Sequence, residues 1–253
     1  MSLDDCADAL REHDPDRFGI CLMVPSAARP RLLTLYALNL ELARAPLASN
    51  EPLIAEMRLQ WWIERLEDIG EGKAQSHELL TPLAEAWGPR AAALAALAEA
   101  RRRDSAREPH DGPDAVMAYV RDTAVPLAQF AAEALDGPTA ATPAIAAQAE
   151  GLGLVNWLAA LPALQGLGLG LWDPSPEALS QIATHAHQKL TEARAQRRHV
   201  SRAVAPILFP GAGVKLILDA APKGIEALAA AQPSEFRKRL ALGAFALTHR
   251  WWI

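Results

Sequence analysis

Apolar positions recur at intervals of three and four along almost the whole chain, the period of helices that bury one face. The spacing predicts helices over 26–45, 51–69, 76–87, 89–103, 113–136, 143–165, 176–203, 213–221 and 234–252. In the second of these, Ala55, Leu59, Trp62, Leu66 and Ile69 stand at i, i+4, i+7, i+11 and i+14 and form one buried face, with Asn50 as N-cap and Gly70 as stop. Ser175, Pro176 and Glu177 read as a helix start, as do Thr142 as N-cap and Pro143 at the first helical position. Pro126 is expected to kink or break the helix that contains it. Segments 103–114 and 209–213 read as loops. No alternating run of β-branched residues suggests a sheet. The expected fold class is all-α, a single domain over 1–253.

Residues 151–172, GLGLVNWLAALPALQGLGLGLW, contain no charged residue and five glycines. The stretch exceeds the roughly 18 apolar residues of a candidate membrane span. Pro162, the polar Asn156 and Gln165, and a helix that begins near Thr142 and already contains Glu150 favour a central buried helix instead.

Composition narrows the choice of function. Hydrophobic residues make up 51% and charged residues 22% of 253, enough to build a large core. A net charge of −5 lacks the basic footprint of a nucleic-acid protein, so no nucleic-acid partner is expected. Cys6 and Cys21 form no metal spacing and read as ordinary thiols in a reducing compartment. The acidic N-terminal MSLDDCADALREHD resembles neither a signal nor a transit peptide, so a cytoplasmic location is expected.

Local constellations are weak. Glu64, Glu67 and Asp68 share a helix face and could hold Mg²⁺, yet a solvated surface explains them as well. Arg58, Trp61 and Arg65 could receive an anion or stack, or could be a helix edge with extended arginines. His185 and His187, two residues apart, face different ways on a helix and would not chelate one metal. The basic run 187–202 could touch acidic lipid or a partner, or be a solvated face. No nucleophile elbow, phosphate loop, HExxH or cysteine cluster occurs.

Longer stretches go further. RPRLLTLYALNLELARAP (29–46) with EMRLQWWIERLEDI (56–69), and AYVRDTAVPLAQFAAEALDG (118–137) with AEGLGLVNWLAALP (149–162), resemble the squalene/phytoene synthase family, as does LTEARAQRRHVSRAVAPILFP (190–210). The resemblance runs in order over nearly the whole chain. It implies an isoprenoid-synthase-like helical bundle with a central cavity. In the enzymes two aspartate-rich helices hold the Mg²⁺ that ionises a prenyl diphosphate, while an apolar wall shields the carbocation. Here the paired aspartates of the first motif fall on Ala43 and Arg44, with the third near Leu47. In the second motif Asn156 is kept, but the Arg-Asp pair reads Ala159–Ala160 and the last aspartate falls near Leu164. The charge-free stretch thus resembles a metal-binding helix without its ligands. ALNLELA followed by MRLQWWIERLEDI closely resembles the aspartate-lacking branch that includes the mitochondrial complex I assembly factor, a branch that associates peripherally with the membrane.

The resemblance implies a non-catalytic assembly or binding factor for a respiratory membrane complex of the complex I type, without cofactor, cytoplasmic or peripheral at the inner membrane. Its partners would be respiratory complex subunits or isoprenoid lipid. Two alternatives stay open. One is a Mg²⁺-dependent prenyl diphosphate synthase with displaced ligands drawn from Glu41, Glu64, Asp68, Asp104 and Asp122. The other is a carrier that binds isoprenoid or lipid in the inherited cavity. The residues expected to line that cavity are Tyr36, Asn39, Ala43, Arg44, Tyr119, Thr123, Asn156 and Ala160, with core packing the competing role for Tyr36 and Tyr119. The pairs Trp61–Trp62 and Trp251–Trp252 are candidate contact surfaces.

Overall fold

The computed structural model describes residues 3–253, and it is helical, with no strand among those residues. The α-helices are α1 (Leu3–His13), α2 (Pro15–Met23), α3 (Arg29–Arg44), α4 (Pro52–Gly70), α5 (Leu80–Trp87), α6 (Ala95–Glu99), α7 (Pro113–Ala134), α8 (Thr142–Gly166), α9 (Pro176–Ala195), α10 (Val214–Ala220), α11 (Ile225–Ala230) and α12 (Glu235–Thr248). The chain divides into two compact units. One comprises the residues up to 106 together with 130–136, and the other comprises 107–129 and 137–253.

In the first unit, α4 buries the predicted face, Ala55, Leu59, Trp62, Leu66 and Ile69, and adds Ile63. Its ends differ from expectation. Glu51 occupies the cap position without a side-chain bond, one residue beyond Asn50. Gly70 is the last helical residue, and a Cβ there would stand 2.7 Å from that of Ala92. The helix expected over 76–87 begins only at Leu80, where His77 Nδ1 accepts the amides of Leu79 and Leu80 at 3.1 and 3.4 Å. The region 89–103 is broken into 3₁₀ turns around the short α6, because Gly88 turns with φ +54° and Pro89 follows it. Helices α1 and α2 escaped the periodicity reading. The former is mostly polar, with only Cys6 and Leu10 buried. Both cysteines are free and buried, which pushes the Cys6 thiol up to about 11 and the Cys21 thiol up to about 12.

In the second unit, α8 is the central element, and its glycines are packing devices. A Cβ on Gly151 would lie 2.8 Å from Leu190 Cγ of α9, and one on Gly153 would lie 2.6 Å from Val120 Cγ1 and 2.9 Å from Ala124 Cβ of α7. Bare backbone there lets both neighbours approach closely. Pro162 and Pro126 sit inside continuous helices, so Pro126 does not break α7. Thr142 is the first residue of α8 rather than its cap, because a 3₁₀ turn at Thr139–Ala141 already winds the entry. Ser175 does cap α9, with Oγ accepting the Ala178 amide at 3.3 Å.

After α8 the glycine-rich chain turns back. Gly168 adopts φ +74°, and Gly170 leaves space that the Gln165 carboxamide fills. That carboxamide donates to the Leu171 carbonyl at 3.2 Å and accepts its amide at 2.7 Å. The stretch 151–172 is therefore a core helix and its turn. The helix is long and apolar enough to cross a membrane, and 61% of its most apolar window is buried. Helix α9 ends at Ala195, short of the expected 203, and α12 ends at Thr248, where His249 takes φ +53°.

Candidate functional site

The expected cavity residues fall into two sets, one in each unit. In the first unit, Tyr36, Asn39, Ala43 and Arg44 lie along α3. Tyr36 is buried beneath the Arg17 guanidinium, 5.3 Å from the ring centroid, and burial pushes its hydroxyl well above the ordinary tyrosine range. Asn39 is buried, and its Oδ1 accepts from Arg101 Nη2 at 3.1 Å. Ala43 is half-buried, while Arg44 is exposed and stands 3.7 Å from Glu41.

Arg44 opens onto a cleft of about 250 Å³, lined by Glu41, Arg44, Ala45, Ala48, Arg58, Trp61 and Trp62. The end of α3 and the outer edge of α4 thus bring together two arginines and two indoles. The indoles meet edge to face at 4.9 Å, and both abut His77. Guanidinium groups and indoles that line one cleft suit an anion attached to a flat or apolar body. The sequence offered the Arg58–Trp61 stripe and Arg44 separately, and only the packing of α4 against the turn at Ala45–Leu47, which follows α3, joins them. Arg65, the third member of the stripe, is not in the cleft. It pairs with Asp68 at 3.1 Å and Glu64 at 3.8 Å, while Gln60 donates to Glu64 at 3.0 Å. Glu64 and Asp68 are thus held by a cation and an amide.

In the second unit, Tyr119 is half-buried with its ring 5.2 Å from that of His110, and the Thr123 hydroxyl donates to the Tyr119 carbonyl at 2.9 Å. Asn156 and Ala160 lie one turn apart on the exposed side of α8, with Ala159 and Leu164 half-buried. A charged cluster escaped the sequence reading. Glu150, buried in α8, has Oε1 2.9 Å from His185 Nε2 and 3.4 Å from Arg121 Nη2, and Oε2 3.9 Å from Lys189 Nζ. The available signal was Glu150 itself: a carboxylate in an apolar helix must find cations. His185 serves that carboxylate, and His187, two residues on, is exposed.

These residues do not fit a Mg²⁺–diphosphate centre. The positions that resemble its ligands hold Ala43, Arg44, Ala159 and Ala160, none of which offers a carboxylate. Among the described residues no group of three or more His, Cys, Asp or Glu is placed to hold a metal ion.

Known proteins share this architecture. A dehydrosqualene synthase crystallised with a ligand superposes with a TM-score of 0.76 over 96% of this chain and 94% of its own, at 12% identity. Squalene synthase HpnC from Alicyclobacillus acidocaldarius superposes with a TM-score of 0.66 over 90% of this chain and 92% of its own, at 18% identity. In sequence, the chain is 34% identical over 64 residues to the human protein named NADH dehydrogenase (ubiquinone) complex I, assembly factor 6; the match spans 25% of this chain and only 19% of that protein. The fold is that of the isoprenoid-synthase-like helical proteins. The profile described as squalene/phytoene synthase matches residues 10–168, more than half of the sequence, and the chain belongs to the squalene/phytoene synthase family.

Proposed function

We propose that this chain is a non-catalytic member of its family and acts as an assembly or binding factor for a respiratory membrane complex of the complex I type. The observation that carries the reading is the set Ala43, Arg44, Ala159 and Ala160 where the metal ligands of a synthase would fall. Mg²⁺ is bound through oxygen ligands, commonly carboxylates, and a guanidinium at such a position repels it. The reading needs no cofactor, places the protein in the cytoplasm or peripherally at the inner membrane, and is supported by the similarity to a protein named as an assembly factor. Its test has two arms. Incubation with farnesyl or geranylgeranyl diphosphate and excess Mg²⁺ is expected to yield no condensed product. Deletion of the gene is expected to lower assembled complex I; turnover in the first arm or normal assembly in the second overturns the reading.

The cleft beside Arg44 favours a second reading, a binder of isoprenoid or other lipid with an anionic head. Arg44 and Arg58 supply cations, and Trp61 and Trp62 supply apolar surface. Calorimetric titration with a non-hydrolysable farnesyl diphosphate analogue tests it. Mg²⁺-independent binding that is lost in Arg58→Ala supports this reading, whereas binding that requires Mg²⁺ points back to a synthase with displaced ligands.

A further inference from the structure

Helix α12 turns an apolar stripe to solvent. Phe236, Leu240, Gly243 and Leu247 stand at i, i+4, i+7 and i+11 and share one face. Phe236, Leu240 and Leu247 are 74%, 60% and 83% exposed. Phe245 is the buried residue of this helix. It follows Phe236 by about two and a half turns, so it points the opposite way. There its ring meets that of Phe209 at 5.0 Å. One aromatic ring pins the helix, and three large apolar side chains in line on the other face remain in water.

The surroundings are cationic. Segments 193–203 and 235–253 together carry eight Lys and Arg against one carboxylate, Glu235, in a chain whose net charge is −5. The two segments meet in space. Arg202 Nη2 lies 3.4 Å from His249 Nδ1 at the end of α12, and Arg194 donates to the Ile253 carbonyl at 3.3 Å. The Arg197 guanidinium stands 5.9 Å from the centroid of the half-buried Trp252 ring. On α12 itself, Arg237 and Arg239 fall on either side of the stripe.

We propose that α12 docks on an anionic lipid bilayer, lying in the interfacial plane with Phe236, Leu240 and Leu247 below the headgroups and the arginines at the lipid phosphates. Charge complementarity selects this occupant. A second copy seated stripe to stripe would oppose arginine to arginine, and a nucleic acid has no use for the apolar centre. The proposal builds on the peripheral membrane placement in the assembly reading by naming the surface that would make it, and its vesicle test is read without complex I, so either can fail while the other stands.

The test is co-sedimentation of the full chain with vesicles of phosphatidylcholine alone and of phosphatidylcholine with about 30% phosphatidylglycerol. Binding roughly tenfold tighter to the anionic vesicles is expected, weakening as salt rises from about 0.1 M to about 0.5 M. The double variant Leu240→Glu/Leu247→Glu, both changes on exposed positions, is expected to melt at the native temperature and to bind roughly tenfold more weakly. Should that variant misfold, Arg237→Glu/Arg239→Glu supplies the same comparison. Equal affinity for neutral and anionic vesicles overturns the proposal, as does a well-folded double variant that binds like the native chain. A concentration-dependent dimer abolished by Leu240→Glu also overturns it and makes α12 a self-association face.

Discussion

Helices α8 and α12 are both rich in apolar residues and both contain glycine, yet they solve opposite problems. Helix α8 is apolar nearly all round and buries side chains as far apart as Ala144 and Leu161. Helix α12 docks through Phe245, with Leu242 half-buried, and leaves Phe236, Leu240 and Leu247 in water. The glycines differ in the same way. Gly151 and Gly153 stand where neighbouring helices touch the backbone, whereas Gly243 has nothing within 4 Å of where a Cβ would be. Apolar content alone therefore says little about a helix; what matters is whether the apolar face meets protein.

The strongest contrast is at leucines. Leu154→Ala in α8 removes a side chain with no exposed surface and should cost about 3 kcal/mol. Leu247→Ala in α12 should stay within about 0.5 kcal/mol of native. Urea unfolding of both variants measures the difference. Equal midpoints would mean that α8 is no more buried than α12.

Next comes overpacking. Gly153→Val places methyl groups where Val120 and Ala124 of α7 already stand, so a loss of about 2 kcal/mol is expected, read as a lower melting temperature. A native melting temperature would show that α7 and α8 can separate freely, and the close approach would lose its meaning.

A smaller effect is expected at the charge that α8 does carry. Glu150→Gln keeps an acceptor for His185 and Arg121 but leaves the cations around it without their counter-charge. Breaking a fully buried pair costs more, but the side chains of Arg121, His185 and Lys189 retain 55%, 26% and 24% of their exposure, so solvent screens the loss. A cost of about 1.5 kcal/mol is expected, shrinking as salt is added. A salt-independent loss would assign the effect to packing.

Burial on one helix was legible in the sequence, and partnerships between helices were not. The buried face of α4 was readable because the period records burial directly. The charge-free centre of α8 was readable for the same reason, as was the Ser175 cap, which needs only residues three apart. That Ala43, Arg44, Ala159 and Ala160 fall where a synthase would carry its aspartate motifs is what the resemblance implies, because it compares local sequence. By contrast, the cleft of Arg44 with Arg58 and Trp61 joins two helices, and the Glu150–His185 pair spans 35 positions, so no local pattern announces either. Helix ends failed where 3₁₀ turns took over the capping, as at Thr142, and around α6. The stripe of α12 was predicted as part of a helix, but its periodicity is the same whether the face meets protein or water.

The smallest effect tests that ambiguity by its sign. Gly243 has ordinary helical backbone and open space around it, so Gly243→Ala adds no clash and removes the excess freedom of glycine in the unfolded chain. The substitution should stabilise by roughly 0.5–1 kcal/mol, seen as slower hydrogen exchange through 240–248. On α8 the same exchange at Gly153 must destabilise, because a Cβ there would stand 2.6 Å from Val120 Cγ1. Two glycine-to-alanine changes of opposite sign would fix one helix as core and the other as surface. A loss at Gly243 would instead mean that the face carrying Phe236, Leu240 and Leu247 is already covered in the folded protein.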